Sequence, residues 1–144
     1  IETKIFKNRP QLTPPPEEFS KLLVDMIRKY KLEKRVIIQS FDYRTLVAAR
    51  KLAPKIRLSA RYAGGIDNYV KLAKEGANAE IISPHYLTLT KGRVEEAQKA
   101  GLQVVPWTAN KASDWDRLIE ANVDAIISDD PEALIGHLKS KGRR

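Results

Sequence analysis

The sequence predicts the α/β class, in the form of an incomplete TIM-type (β/α) barrel of about six strands joined by parallel β-α units. Three observations carry this prediction. Short apolar runs recur along the chain, segments with helical spacing lie between them, and polar or aromatic residues gather just past the ends of the runs. From the second run onward the unit repeats about every 22 residues, as alternating strands and helices with right-handed crossovers require. No glycine-rich turn follows the first run, so a dinucleotide-binding open sheet has no positive support.

The runs lie near Ile1 to Phe6, Val36 to Phe41, Ile56 to Ala60, Ala79 to Ser83, Val104 to Trp107 and Val123 to Ser128. Several are continuous, such as Val36-Ile37-Ile38 and Ala125-Ile126-Ile127. Continuous runs suit strands buried on both faces. After the first run, Pro14, Pro15 and Pro16 lead into a helix marked by Phe19, Leu22, Leu23, Met26, Ile27 and Tyr30, an amphipathic spacing. Glu17 and Glu18 favour the positive end of its dipole. The second run ends in Gln39-Ser40-Phe41-Asp42, where Ser40 or Asp42 can cap the next helix. Gly76, after the helix carrying Val70, Leu72 and Ala73, and Gly101, after the helix carrying Val94, Ala97 and Ala100, are expected as left-handed C-caps. The last run ends in Ser128-Asp129-Asp130-Pro131, a cap followed by a helix opened by proline.

At 144 residues and 42% hydrophobic content, the chain is long enough for one sizeable core. Six strands fall short of a closed barrel and would leave two unpaired edges, through which the chain can associate. Because the sequence opens at Ile1, inside an apparent strand, the absent strands are expected on the N-terminal side. There is no cysteine, so thiolate chemistry and disulfides are excluded. No apolar run nears the roughly 18 residues needed to span a bilayer, so no stable membrane insertion is expected, and the compartment stays open between cytoplasm and periplasm. The formal charge of +8 is spread among acidic residues, with its densest run in Lys139, Lys141, Arg143 and Arg144. It fits a solvated basic surface or attraction to a phosphate-bearing substrate. Tyr43 with Arg44 and Arg61 with Tyr62 are the only hints of an aromatic-basic pattern, so no nucleic-acid partner is expected.

Among candidate site residues, Glu2 and Lys4 are two apart in a strand and share a face. Together at a barrel mouth they could hold a divalent cation and a phosphate oxygen; from spacing alone they read first as an ordinary surface pair at a frayed end. His85, after the fourth run, could serve as acid, base or ligand, or as an ordinary loop residue; His137 reads as surface. Trp107 could wall a ligand pocket or plug the barrel top.

The segments IETK, VIIQSFD, LQVVPWTAN and VDAIISDDP, in this order and at these intervals, resemble the C-terminal part of the glycerophosphodiester phosphodiesterases. The resemblance runs from Glu2 to about Leu138, so residues 1–144 read as the C-terminal part of such a barrel domain. It implies a barrel of the phospholipase-C-like phosphodiesterase type and metal-dependent hydrolysis of glycerophosphodiesters to an alcohol and glycerol 3-phosphate, with calcium or magnesium as cofactor. By the same resemblance Glu2 is a metal ligand, Lys4 a catalytic residue near the phosphate, and Phe41 and Trp107 line the substrate site, with Gln39 and His85 as further substrate-binding candidates. The family's His-Arg-Gly, Glu-x-Asp and His-Asp motifs fall upstream of Ile1. The 144 residues alone are therefore expected to be inactive, and a non-catalytic fragment or binding module that associates with missing strands is the alternative.

Overall fold

A computed structural model describes residues 1–65 and 68–143; Arg144, the last residue of the basic tail, lies outside them. Five parallel strands stand side by side in sequence order: β1 (Glu2–Thr3), β2 (Ile37–Ser40), β3 (Arg57–Tyr62), β4 (Ile81–Pro84) and β5 (Gln103–Val104). Helices α1 (Pro16–Lys29), α2 (Tyr43–Leu52), α3 (Tyr69–Lys71, continued by a π-turn over Leu72–Gly76) and α4 (Lys91–Lys99) connect them, and α5 (Ala112–Glu120) and α6 (Pro131–Ser140) follow. This is the expected α/β fold and the expected incomplete barrel.

Side chains alternate across each strand, which gives the sheet two different faces. Ile38, Leu58, Ala60, Ile82 and Val104 point to the helix layer and pack with Val24, Ile27, Leu46, Val94 and Leu118. Gln39, Ser59 and Ile81 stand in one register across the other, concave face, two residues below Phe41, Arg61 and Ser83. A cavity of about 420 Å³ on that face is lined by residues that include Gln39, Ser59, Ser83, Val105 and Ile127. β4 is buried on both sides, as its continuous apolar run requires.

The expected sixth strand does not form. Residues 123–128 run beside β5, with Asp124 N donating to Val104 O at 3.0 Å and Ile127 N to Pro106 O at 2.9 Å. Pro106 has no N–H to give, and the Asp124 carboxylate takes the Val104 N–H at 2.8 Å, so a side chain holds a bond that a ladder carbonyl would otherwise accept. The first and fifth strands are also shorter than their apolar runs.

Two local expectations need correction. Gly101 does take the left-handed conformation (φ +80°), but Gly76 ends the π-turn and Asn78 adopts the positive φ instead. In α1 the apolar arc is wider than its contact: Val24 and Ile27 are buried, whereas Leu22, Met26 and Tyr30 are exposed. The helix packs chiefly on α2, along one side, so only part of the arc has a neighbour among the described residues. Asp42 caps α2 and Asp130 caps α6, with Pro131 opening that helix as expected. Among the described residues no helix is long and apolar enough to cross a membrane.

Candidate active site

The first strand is anchored by a buried hydroxyl network. Thr3 Oγ1 and Thr45 Oγ1 lie 2.7 Å apart, Ser40 Oγ donates to Thr3 O at 3.1 Å, and Ser20 Oγ donates to Thr45 O at 3.0 Å. All four residues are buried. With Thr3 pinned toward the helices, its neighbours Glu2 and Lys4 must project to the opposite, concave side. They do so together: Lys4 Nζ donates to Glu2 Oε1 at 2.7 Å.

The C-terminal ends of the next strands bring the remaining groups to the same place. Arg61, at the end of β3, donates from Nη1 to the other oxygen of Glu2. Its guanidinium lies over two rings, 4.7 Å from the centroid of Phe41 and 4.4 Å from that of Trp107. Phe41 and Trp107 meet edge to face, with centroids 5.1 Å apart. The indole is held by a bond from Nε1 to Ser83 O at 2.8 Å. His85 completes the aromatic group, its ring 5.2 Å from Trp107, while its Nδ1 accepts the Leu87 N–H at 3.4 Å. Parallel strands place their C-terminal ends at one edge of the sheet, which is why residues from positions 2 to 107 converge.

Of the six residues expected at the site, five gather in this cluster: Glu2, Lys4, Phe41, His85 and Trp107. Gln39 lies below them, in the cavity of the concave face. Arg61 is the residue that sequence reasoning missed. The available signal was the alternation Arg57-Ser59-Arg61 opposite Leu58-Ala60, which places three polar side chains on the inner face of a strand. His137 is far from the cluster: on α6 it pairs with Asp116 at 2.8 Å and packs near Trp115, a helix-to-helix contact and not a free surface residue.

The electrostatics favour an anionic ligand. Glu2 is shared between two cations, so the cluster has a net positive balance, with the Lys4 side chain 68% exposed. Next to it, Asp42 accepts from Arg44 Nε and Nη2 at 2.9 and 2.7 Å, and the guanidinium holds its carboxyl below the usual carboxylate range. The cluster is a poor metal site by itself. Calcium takes six to eight oxygen ligands and magnesium six, whereas the described residues contain no group of three or more His, Cys, Asp or Glu side chains placed to hold a metal ion.

The profile of the glycerophosphoryl diester phosphodiesterase family matches residues 1–133. The chain belongs to this family. A glycerophosphodiester phosphodiesterase of Caldanaerobacter subterraneus subsp. tengcongensis is 35% identical over 120 residues, covering 83% of this chain and 49% of the relative. Among solved structures, a Silicibacter pomeroyi protein described as a glycerophosphoryl diester phosphodiesterase superposes with a TM-score of 0.87 at 25% identity, over 98% of this chain and 50% of that one. An Oleispira antarctica phosphodiesterase, solved in complex with its product sn-glycerol-3-phosphate, superposes with a TM-score of 0.81 at 21% identity, over 96% and 53%. The chain thus spans about half the length of the family members it matches. The α/β barrel architecture of the described residues is shared with these structures.

Proposed function

We propose that residues 1–144 form the phosphate-binding and pocket-lining part of a protein that hydrolyses glycerophosphodiesters to an alcohol and glycerol 3-phosphate. The observation that supports this most directly is the meeting of Lys4, Glu2, Phe41 and Trp107 at the C-terminal ends of parallel strands, where barrel active sites lie. A glycerophosphodiester carries one negative charge at phosphorus. Lys4 neutralises that charge as it grows in the transition state, and Glu2 keeps the ammonium in place. Phe41 and Trp107 wall the carbon-bearing side of the substrate, with His85 beside Trp107 and Gln39 below them.

In the overall reaction water adds to phosphorus, the bond from phosphorus to the leaving alcohol oxygen breaks, and that oxygen takes up a proton. By family resemblance the proton transfers belong to histidines of the His-Arg-Gly and His-Asp motifs, which residues 1–144 do not contain. His85 and His137 are not their counterparts. Calcium or magnesium, which the family resemblance implies, does not fit the described residues alone: Glu2 offers one ligand, and both of its oxygens are engaged by cations. The 144 residues by themselves therefore supply binding and charge neutralisation without the acid and base.

The test is glycerophosphocholine hydrolysis by the complete protein that carries this chain, followed by release of glycerol 3-phosphate. Lys4→Ala and Glu2→Gln are each expected to lower kcat/KM by roughly 100-fold or more, as removal of a transition-state charge partner does. Undiminished activity in Lys4→Ala removes Lys4 from the mechanism. If the complete protein cleaves neither glycerophosphocholine, glycerophosphoethanolamine nor glycerophosphoglycerol, the functional reading is wrong.

A further inference from the structure

Arg61 is out of keeping with its position. Its side chain is only 9% exposed, yet among the described residues it finds a single hydrogen-bonded acceptor, Glu2. Its buried Nε has no partner. Burying a guanidinium with unmade hydrogen bonds is unfavourable, and native structures keep such groups chiefly where something else completes them. The surroundings hold the group in place without satisfying it. Phe41 and Trp107 lie against it at 4.7 and 4.4 Å, and a ring face accepts the charge but not a directed N–H bond. Glu2 fixes one end of the fork, and the same carboxylate holds Lys4. The result is two cations sharing one carboxylate, one of them a planar donor set that matches tetrahedral oxyanions.

We infer that Arg61 is a phosphate-binding residue of this site, giving its unpartnered N–H groups to a phosphoryl oxygen while Lys4 meets another. The ligand class is a phosphomonoester or phosphodiester anion, and the inference rests on the reading of this cluster as a glycerophosphodiester site. Glu2 then acts as a positioning residue for both cations, and the two rings keep the guanidinium flat and dry. Lysine would keep the charge at position 61 but lose both the fork and the stacking.

The experiment measures inorganic phosphate and glycerol 3-phosphate binding by calorimetry, together with hydrolysis kinetics, for the complete protein and its Arg61→Met and Arg61→Lys variants. Both ligands are expected to bind about 10- to 100-fold more weakly to Arg61→Met, with KM raised in parallel and a smaller change in kcat, as loss of a charge-assisted bond implies. Arg61→Lys is expected to fall between the two. If Arg61→Met does not fold, a drop of about 10-fold in phosphate affinity in a folded Arg61→Lys carries the same conclusion. Phosphate affinity equal in wild type and folded variants overturns the assignment, whatever the hydrolysis result. Phosphate binding that depends on Arg61 in a protein without diesterase activity upholds the assignment and overturns the functional reading alone.

Discussion

Replacing Thr45 by Val tests whether the hydroxyl network beneath β1 sets the position of the site. Thr45 is fully buried, and its hydroxyl lies 2.7 Å from Thr3 Oγ1 and 3.0 Å from Asp42 O. It has one proton, which goes to the Asp42 carbonyl, so Thr3 is the donor in the Thr3–Thr45 bond. Valine keeps the branched shape and removes the oxygen. Asp42 O retains the Thr45 N–H at 3.3 Å, but the buried Thr3 hydroxyl loses its acceptor. An orphaned buried donor costs about 1–3 kcal/mol, which for a chain of this size corresponds to a fall of about 3–10 °C in Tm. Thr3→Val should cost less, under about 1 kcal/mol, because Thr45 still donates to Asp42. The double variant has no orphan, so its loss should be smaller than that of Thr45→Val alone. Chemical denaturation of the wild type, both single variants and the double variant closes this cycle. Additive losses, with the double variant the least stable, would falsify the proton assignment and the idea that the network holds Thr3.

Other outcomes follow from single groups. The Asp42 carboxyl is held below its ordinary value chiefly by its bond to Arg44, so its contribution to stability is present above the unfolded carboxylate range near about pH 4 and is lost as pH falls through the lower folded value. Asp42→Asn keeps a competent cap and should flatten the rise of Tm with pH below about pH 4; an unchanged slope in a pH series of thermal melts contradicts the assignment. Ile82 is fully buried between the sheet and the helices, so Ile82→Ala should cost about 3–4 kcal/mol, against much less for Ile37→Ala on the half-open concave face. Equal losses in denaturant titrations would mean that both faces are packed alike.

Much of the fold was legible because its signals are local. Continuous apolar runs, helical spacing and capping residues such as Asp42, Gly101 and Asp130 depend on near neighbours in sequence. The failures share a cause in competition from elsewhere. Residues 123–128 have the composition of a strand, but Pro106 and the Asp124 side chain belong to a pairing that no local pattern reports. Leu22 and Met26 fit an apolar helix face, yet whether such residues are buried depends on which helix stands beside them. Likewise Gly76 looked like the cap, while the π-turn carried the reversal on to Asn78.

For the site, alternation by itself determined that Glu2 and Lys4 share a face, and the positions of Phe41, His85 and Trp107 just past apolar runs marked them as residues of the strand ends. Family membership was also legible, since four short segments in fixed order are a property of the chain alone. What only the tertiary structure decided is that Arg61 joins them. Its partners lie 59 residues away at Glu2 and across the sheet at Trp107, and parallel pairing of five strands is what brings these distances down to contact. A sequence specifies which way a side chain points from its strand, whereas the charge it meets there depends on the order and register of the strands alongside.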